Sequence, residues 1–397
     1  MSIKILWYLT APDGPFPWEP QGRWHTDFRH LQQLASTIDR LGYYGALLGT
    51  GLGDEVLTIS SAMIGVTKRL RFLAAIHPGL LSPVKLAQIA LTQDRLSGGR
   101  MIFNVVNGND HLLPAFGVNY AHDERYDFSF EYWDAFRRFY LGQRDGYDGQ
   151  FVKLAPAPAE YGLGRRGVRE APLIAVQPDG VPLWGAGTSA AGVAHSVQLL
   201  DTYLSFADTP PKLGEKFDRV GAEAAKIGRT LDYGTRLQII VRETEEEAWA
   251  HAQWLLDHTH IDYARQSIEI QLPRGETLET YRSPDPQVER NLAAVRAGRL
   301  PKARDLEIYP NVWVGPSLFG FNILAPLAGT AIVGSARNVA TRLQEYAANG
   351  AGAFILSGYP LISEAQRFAD LVFPLLDLDH GFDVPLFGSR SRQSAVT

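Results

Sequence analysis

Arg236 and Gln238 stand two residues apart in the stretch YGTRLQIIVRET (residues 233–244), whose Leu237, Ile239, Ile240 and Val241 are the aliphatic and β-branched residues that strands favour. Side chains alternate across a strand, so the arginine and the glutamine share one face while Leu237 and Ile239 share the other. A guanidinium beside an amide on an otherwise apolar strand makes either a solvated edge or the floor of a polar site able to grip an oxyanion. A second anion-directed pattern is WGAGTSAAGVAHS. Its Gly185, Gly187, Thr188 and Ser189 follow a strand-like run and open a helix, where backbone amides and hydroxyls point at a phosphate. A glycine turn with Thr or Ser as N-cap would have the same sequence.

Other candidates are weaker one by one. GTGLGDE (residues 49–55) also follows a strand, but Asp54 occupies the third glycine place of a dinucleotide fingerprint, so a tight strand-to-helix turn is the simpler reading. NVVNGND ends a strand in polar residues and HDERYDFSFEYW begins the next helix. Asn107 and Tyr126 therefore either reach a ligand above the sheet or serve as a cap and a core ring. TAPDGPFPWEPQGRWHTDF places Trp18, Trp24 and His25 just past the first strand, where aromatics stack on a flat ring or sugar, or pack a subunit interface. FILSGYP puts Tyr359 at the end of the last strand, where its hydroxyl donates into a site or faces solvent. No phosphate-loop lysine, zinc-protease helix or nucleophile elbow occurs in a suitable context, and the ten histidines show no metal-ligand spacing. His258 and His260 read as a solvated pair. No acidic pair stands at the predicted strand ends, which argues against a glycosidase.

These residues need a scaffold that gathers strand ends. Eight strand-like runs, at 3–9, 44–50, 70–76, 101–107, 181–187, 202–207, 236–241 and 353–358, alternate with helical patterns. That order predicts an α/β fold, a (β/α)₈ TIM barrel, with a doubly wound sheet as second choice. Residues 1–380 are expected to form one barrel domain with insertions near 151–180 and 265–326, followed by a tail over 381–397. The insertions, rich in Pro and Gly, are expected to be irregular and to cover the C-terminal face. The 397 residues are 45% hydrophobic and 20% charged, ordinary for a globular chain able to bury a large core. A net charge of −5, from 38 basic and 43 acidic residues spread along the chain, gives no basic stripe for nucleic acid. Zero cysteines exclude disulfides, thiolate metal sites and a cysteine nucleophile. No apolar run approaches the ~18 residues of a bilayer span, and MSIKILWYL enters a strand without a basic leader. A cytoplasmic protein with no nucleic-acid or membrane partner is expected.

In order along the chain, DRLGYYGALL, SSAMIGVTKRLRFLAAIHP, LTQDRLSGGRMIFNVVNG, HDERYDFSFEYW, TRLQIIVRETEEEAW, AGTAIVGSARNVATRLQEYAANG and FILSGYPLISEAQRFADLVFPLLD resemble the bacterial luciferase-like flavin monooxygenases, above all their alkanesulfonate monooxygenase branch. The resemblance spans nearly the whole chain and weakens in the two insertions. It implies a luciferase-like barrel that binds reduced FMN (FMNH2) delivered by a separate NAD(P)H-dependent flavin reductase. It also implies O2 as co-substrate and a homo-oligomer, dimer or tetramer. In the sulfonate branch the C–S bond of a small-molecule sulfonate breaks to give sulfite and an aldehyde. On this resemblance Arg236, Gln238 and Tyr359 fall at catalytic positions, while Asn107, Tyr126, Gly187, Thr188 and Ser189 hold the flavin and its phosphate. Trp24, His25, Asp54 and Phe206 face the substrate, and no metal is implied.

Three positions depart from that branch. Gln238 replaces a histidine, Gly53 a cysteine and Ala325 an arginine. Losing a titratable ring and one cation points to an altered pocket, and the neutral amide, two tryptophans and His25 suit a polyhydroxylated sulfonate such as sulfoquinovose. Arg290, Arg296 and Arg299 of the second insertion are candidate replacement cations, in a segment that could close as a lid. A luciferase-like oxidoreductase using flavin or deazaflavin on a non-sulfonate substrate is the alternative on the same fold. A flavin-binding protein that has lost catalysis is a third reading, and the retained Arg236 and Tyr359 argue against it.

Overall fold

Runs such as KILWY and AFILS carry apolar side chains at consecutive positions, so strands made from them must be covered on both faces, as parallel sheets flanked by helices are. The computed structural model describes residues 2–50, 53–108, 113–156, 161–163, 169–170 and 173–382, and in it eight such strands close into a parallel barrel. The staves are β1 (Lys4–Tyr8), β2 (Gly45–Leu48), β3 (Arg71–Ile76), β4 (Met101–Val105), β5 (Leu183–Gly185), β6 (Thr202–Phe206), β7 (Asp232–Arg242) and β9 (Ala353–Ser357). They correspond to the eight runs expected from the sequence. The ring closes where β9 pairs with both β7 and β1. An additional strand, β8 (Ala331–Ser335), lies outside the ring and pairs in parallel with the upper half of β7, from Gln238 to Arg242.

Helices α1 (Phe28–Leu41), α2 (Val56–Ile64), α3 (Pro83–Ser97), α4 (His122–Tyr140), α5 (Ala190–Leu199), α6 (Pro210–Lys226) and α7 (Glu245–Asp257) follow the first seven staves. Helix α10 (Ala336–Ala348) follows β8, and α11 (Leu361–Val372) follows β9. Local chemistry marks their ends. Asp27 accepts the His30 amide at 3.0 Å to start α1, and Ser82 accepts that of Lys85 at 3.1 Å to start α3. Gly42 (φ 85°) and Gly98 (φ 73°) end the same helices in the left-handed region.

The second insertion, expected to be irregular over 265–326, is built instead. It contains α8 (Ile261–Gln271), α9 (Pro286–Arg296), a short antiparallel pair (Glu307–Tyr309 with Val312–Trp313) and a hairpin of Pro316–Ser317 with Gly320–Phe321. Its prolines and arginines look like loop composition, but Pro286 occupies the first turn of α9 behind the N-cap Asp285. Ile268, Leu278, Leu292, Val295 and Leu306 are all buried in this segment. Of the first insertion, 157–160, 164–168 and 171–172 lie outside the described residues, as do 383–397 of the expected tail. Among the described residues no helix is long and apolar enough to cross a membrane.

Candidate active site

The loop from β5 to α5 takes its shape from a glycine pair. A Cβ on Gly187 would sit 2.8 Å from the backbone of Gly192, and one on Gly192 would sit 2.9 Å from the Gly187 Cα. Glycine at both places lets the loop fold back onto the first turn of the helix. Ser189 caps α5 by accepting the Gly192 N–H at 3.1 Å, Thr188 stands exposed beside it, and Tyr203 donates to the Gly187 carbonyl at 3.0 Å. A helix N-terminus fronted by glycine backbone and hydroxyls suits a phosphate.

Asn107 lies just beyond β4, with its Nδ2 3.4 Å from His195 Nδ1, and His195 Nε2 lies 3.0 Å from the Ser129 hydroxyl. Burial holds the His195 pKa down at about 4, so the ring is neutral at neutral pH. A neutral imidazole that accepts from Asn107 at Nδ1 carries its proton on Nε2 and donates it to Ser129. This fixes the Asn107 amide with its nitrogen toward His195, and its buried oxygen has no partner among the described residues. The Tyr126 ring packs 5.5 Å from that of His195, and its hydroxyl would be 3.0 Å from a Cβ on Gly192. Asn107, Tyr126, Gly187 and Ser189 are thereby gathered between α4 and α5. An orphaned amide oxygen beside a glycine cradle at a helix start fits the polyol and phosphate of FMN.

A second pole is built on β7 and β9. Arg236 stands in register with Phe206 of β6 and Ile355 of β9. Its guanidinium lies 3.5 Å from the centre of the Phe319 ring and 4.6 Å from that of Tyr8. Both rings offer a negative face to the cation and shield it from water. Its Nη1 donates to the Ala328 carbonyl, and its buried Nε has no partner among the described residues. Gln238, also buried, shares this face of the strand opposite Ser357. Tyr359 follows β9 by two residues and is 5% exposed. Ser357 is nearby but outside hydrogen-bond geometry, and both hydroxyls are unpartnered. Burial pushes the Tyr359 phenol far above its ordinary range, with Arg236 opposing and Tyr8 adding, so the hydroxyl keeps its proton and can donate it.

Two cavities adjoin these poles. A cleft of about 920 Å³ is lined by Tyr8, Trp24, His25, Asp54, Leu318 and Phe319, among others. Three expected substrate-side residues thus share a wall with the two rings that clamp Arg236. A cavity of about 590 Å³ runs between α2 and α3 toward His77 and Tyr132, and the two spaces meet at Thr50, Gly53 and Asp54. A Cβ on Gly53 would meet nothing within 4 Å, so sterics do not demand glycine there.

Several expected residues line neither cavity, Arg236, Gln238 and Tyr359 among them. Phe206 is 53% exposed at the end of β6 and lines neither cavity, because its ring stays in solvent. Arg290 and Arg299 are exposed on the insertion and also line neither. Arg296 is committed to Glu289 at 2.9 Å and to the Leu278 and Tyr281 carbonyls. The insertion contributes Leu318 and Phe319 to the site in place of a cation. Tyr263 holds their hairpin by donating to the Ser317 carbonyl and accepting the Gly320 N–H at 3.1 Å. Two well-placed histidines escaped the sequence reading. His77 had a signal, standing directly after β3, whereas His195 in mid-helix looks like any surface histidine.

Comparisons with known proteins agree with this architecture. Residues 4–352 match the family described as luciferase-like monooxygenase. A riboflavin lyase solved with modified FMN and substrate riboflavin superposes with a TM-score of 0.68 at 20% identity, over 97% of this chain and 94% of that one. A long-chain alkane monooxygenase gives 0.68 at 18%, over 94% and 91%. The coenzyme F420 dependent tetrahydromethanopterin reductase from Methanopyrus kandleri gives 0.64 at 14%, over 95% and 100%. At these identities the likenesses speak for the fold alone.

Proposed function

The chain belongs to the luciferase-like monooxygenase family, and on that premise we propose that it is a reduced-FMN-dependent monooxygenase that cleaves the C–S bond of an organosulfonate. The observation that carries this reading is the buried pair of Arg236 and Tyr359, each with a polar atom unpartnered among the described residues. Bound reduced FMN and O2 would supply the oxidation: one oxygen atom ends in the aldehyde, the other in water, and the flavin gives the two electrons as sulfite leaves. Arg236 keeps Nε and Nη2 for two sulfonate oxygens, the bidentate geometry a guanidinium favours. Tyr359, held protonated, donates to oxygen where negative charge develops. Phe319 and Tyr8 keep water from the guanidinium. Gln238 can orient a substrate oxygen but cannot titrate, so it moves no proton.

Asn107, Tyr126, Gly187, Thr188 and Ser189 would hold the flavin. A separate NAD(P)H-dependent reductase would supply it reduced, since the sequence carries no dinucleotide fingerprint of its own. The wide cleft, with Trp24 as a stacking face and His25 and Asp54 as hydrogen-bonding groups, suits a sugar sulfonate such as sulfoquinovose better than a bare alkyl chain. The test is sulfite release with FMN, NADH, O2 and a generic flavin reductase, with sulfoquinovose and octanesulfonate in parallel. Faster turnover of octanesulfonate would refute the polar-pocket reading. No sulfite from either, with FMN binding intact, would refute desulfonation. A second reading is favoured by the fold shared with the coenzyme F420 dependent reductase: hydride transfer with a deazaflavin. Titration with FMN against the deazaflavin separates the two.

A further inference from the structure

Asp13, in the loop between β1 and α1, is a carboxylate with no exposed surface. A charge so placed is costly unless it is fully bonded, and this one is. Oδ1 accepts the Gly14 N–H at 2.7 Å and the Leu361 N–H at 2.8 Å, while Oδ2 lies 2.8 Å from His30 Nε2. The main-chain carbonyl of Asp13 accepts the Trp24 N–H at 2.8 Å. Gly14, at φ 133°, lets the loop cross itself at this point, where a Cβ would drive into the Gly22 carbonyl.

The bond to Leu361 is the informative one. Leu361 opens α11, whose N-cap is Pro360 and makes no side-chain capping bond. From 348 positions away, Asp13 supplies the acceptor that a proline cannot, and its charge faces the positive end of the helix. Trp7 Nε1 holds the same residue from the other side, donating to the Leu361 carbonyl at 3.1 Å. Between this anchored residue and Tyr359 stands Pro360, whose ring fixes its φ. The Asp13 loop also sets Trp18 edge-on to the Tyr359 ring, with 6.4 Å between centroids. Burial dominates in keeping the proton on the Tyr359 phenol, and the Asp13 charge pushes the same way.

The geometry points to Asp13 as the positioning residue of Tyr359: its carboxylate fixes the first turn of α11 and thereby the direction in which the phenol hydroxyl is presented. The inference rests on the reading above that Tyr359 donates to oxygen, and it adds a group that touches no substrate. Ala11, Pro12 and Trp24 of the same loop line the wide cleft, whereas Asp13 does not. The main-chain bond to Trp24 survives any change of the Asp13 side chain, so loss of the carboxylate should appear in kcat rather than in KM.

The test uses Asp13→Ala, Asp13→Asn and Tyr359→Phe in the full chain, with two readouts. 3-Fluorotyrosine placed at position 359 reports the state of that ring by fluorine NMR whatever the substrate. The unaltered protein and Asp13→Asn should give one narrow resonance at the same shift, because the amide keeps Oδ1 for both N–H groups and His30 can take the tautomer that accepts from Nδ2. Asp13→Ala should split or broaden it. In sulfite release from sulfoquinovose, Asp13→Ala should lower kcat by about 10-fold with KM within about twofold, and Asp13→Asn should recover most of the loss. In a Tyr359→Phe background the same Asp13→Ala change should cost less than about twofold more. Should Asp13→Ala fail to fold, Asp13→Ser, too short to reach Leu361, takes its place under the same criteria. An unmoved resonance, or equal losses with and without the Tyr359 hydroxyl, would overturn the inference and leave the monooxygenase reading standing. Tyr359→Phe as active as the unaltered protein would overturn the donor role and the inference together. No sulfite from the unaltered protein would refute desulfonation, and the resonance alone would then uphold or overturn the positioning.

Discussion

Replacing Arg236 with methionine separates what the guanidinium does for the fold from what it does for the substrate. In the folded protein the charge gains two ring contacts, with Phe319 and Tyr8, of roughly 0.5–1 kcal/mol each. It also gains one charge-assisted bond to the Ala328 carbonyl, worth about 1.5–3 kcal/mol. Against these stands the desolvation of a cation that is 7% exposed, of the order of several kcal/mol. The terms nearly cancel, and methionine has the length and polarizability to lie between the same two rings. Arg236→Met should therefore change unfolding stability by less than about 1 kcal/mol. The loss to catalysis does not cancel. If the proposed sulfonate is the substrate, losing two charge-assisted bonds to its oxygens, at about 1.5–2 kcal/mol each, should lower kcat/KM by about 100- to 1000-fold. Arg236→Lys keeps the charge without the planar fork and should fall in between. Steady-state sulfite release, urea unfolding and FMN titration on the same preparations measure all three quantities. A variant that retains kcat/KM within about threefold, with flavin binding and stability intact, would show that Arg236 does not hold the anion.

Three further outcomes are expected. Gly187→Ala drives a Cβ against the Gly192 backbone. It should weaken FMN binding by about 10-fold or more while leaving riboflavin nearly unaffected; parallel loss for both ligands would mean that the glycine pair does not cradle a phosphate. Gly53→Cys places the chain's sole thiol where the two cavities meet, with open space around it. Stability should move by less than about 0.5 kcal/mol, and thiol labelling should be fast in the free protein and slowed by FMN. His195, with a folded pKa of about 4 against an ordinary 6.5, binds fewer protons folded than unfolded between those values. Its contribution, up to about 3 kcal/mol, is complete above pH 6.5 and lost as the pH falls toward 4. His195→Gln should therefore narrow the difference in urea midpoint between pH 7 and pH 5, and an unchanged difference would contradict the assignment.

The barrel was legible because its signal is local. Each stave is a short run of apolar residues, and the register between neighbours follows once eight such runs alternate with helices. Helix α2 has a weak local signal, because VLTISSAMI is nine residues long and apolar on nearly every side, so no helical period stands out. β8 escaped for a different reason: AIVGS is held as a strand by the upper half of β7 on one side and by Val312–Trp313 on the other, tertiary facts that no local pattern records. In the site, Arg236, Asn107 and the Gly187 loop could be found because they break the pattern of their elements. The burial of His195 is decided by α4 packing over α5, and the ring of Phe319 reaches Arg236 across 83 positions of sequence. Neither can be inferred from residue type or spacing.

β7 runs for 11 residues, with its lower part bonded to β6 and β9 and its upper part to β8. The chain leaves β7 into α7, travels through the insertion and returns through β8 to the strand it left. Such an excursion is tethered at both ends to one stave, so its length and content can change without shifting the register of any pair in the ring. Residues 258–328 behave in this respect as a cassette. Transplanting the corresponding segment from a relative should exchange the hairpin over Arg236 while the register of the barrel wall is kept.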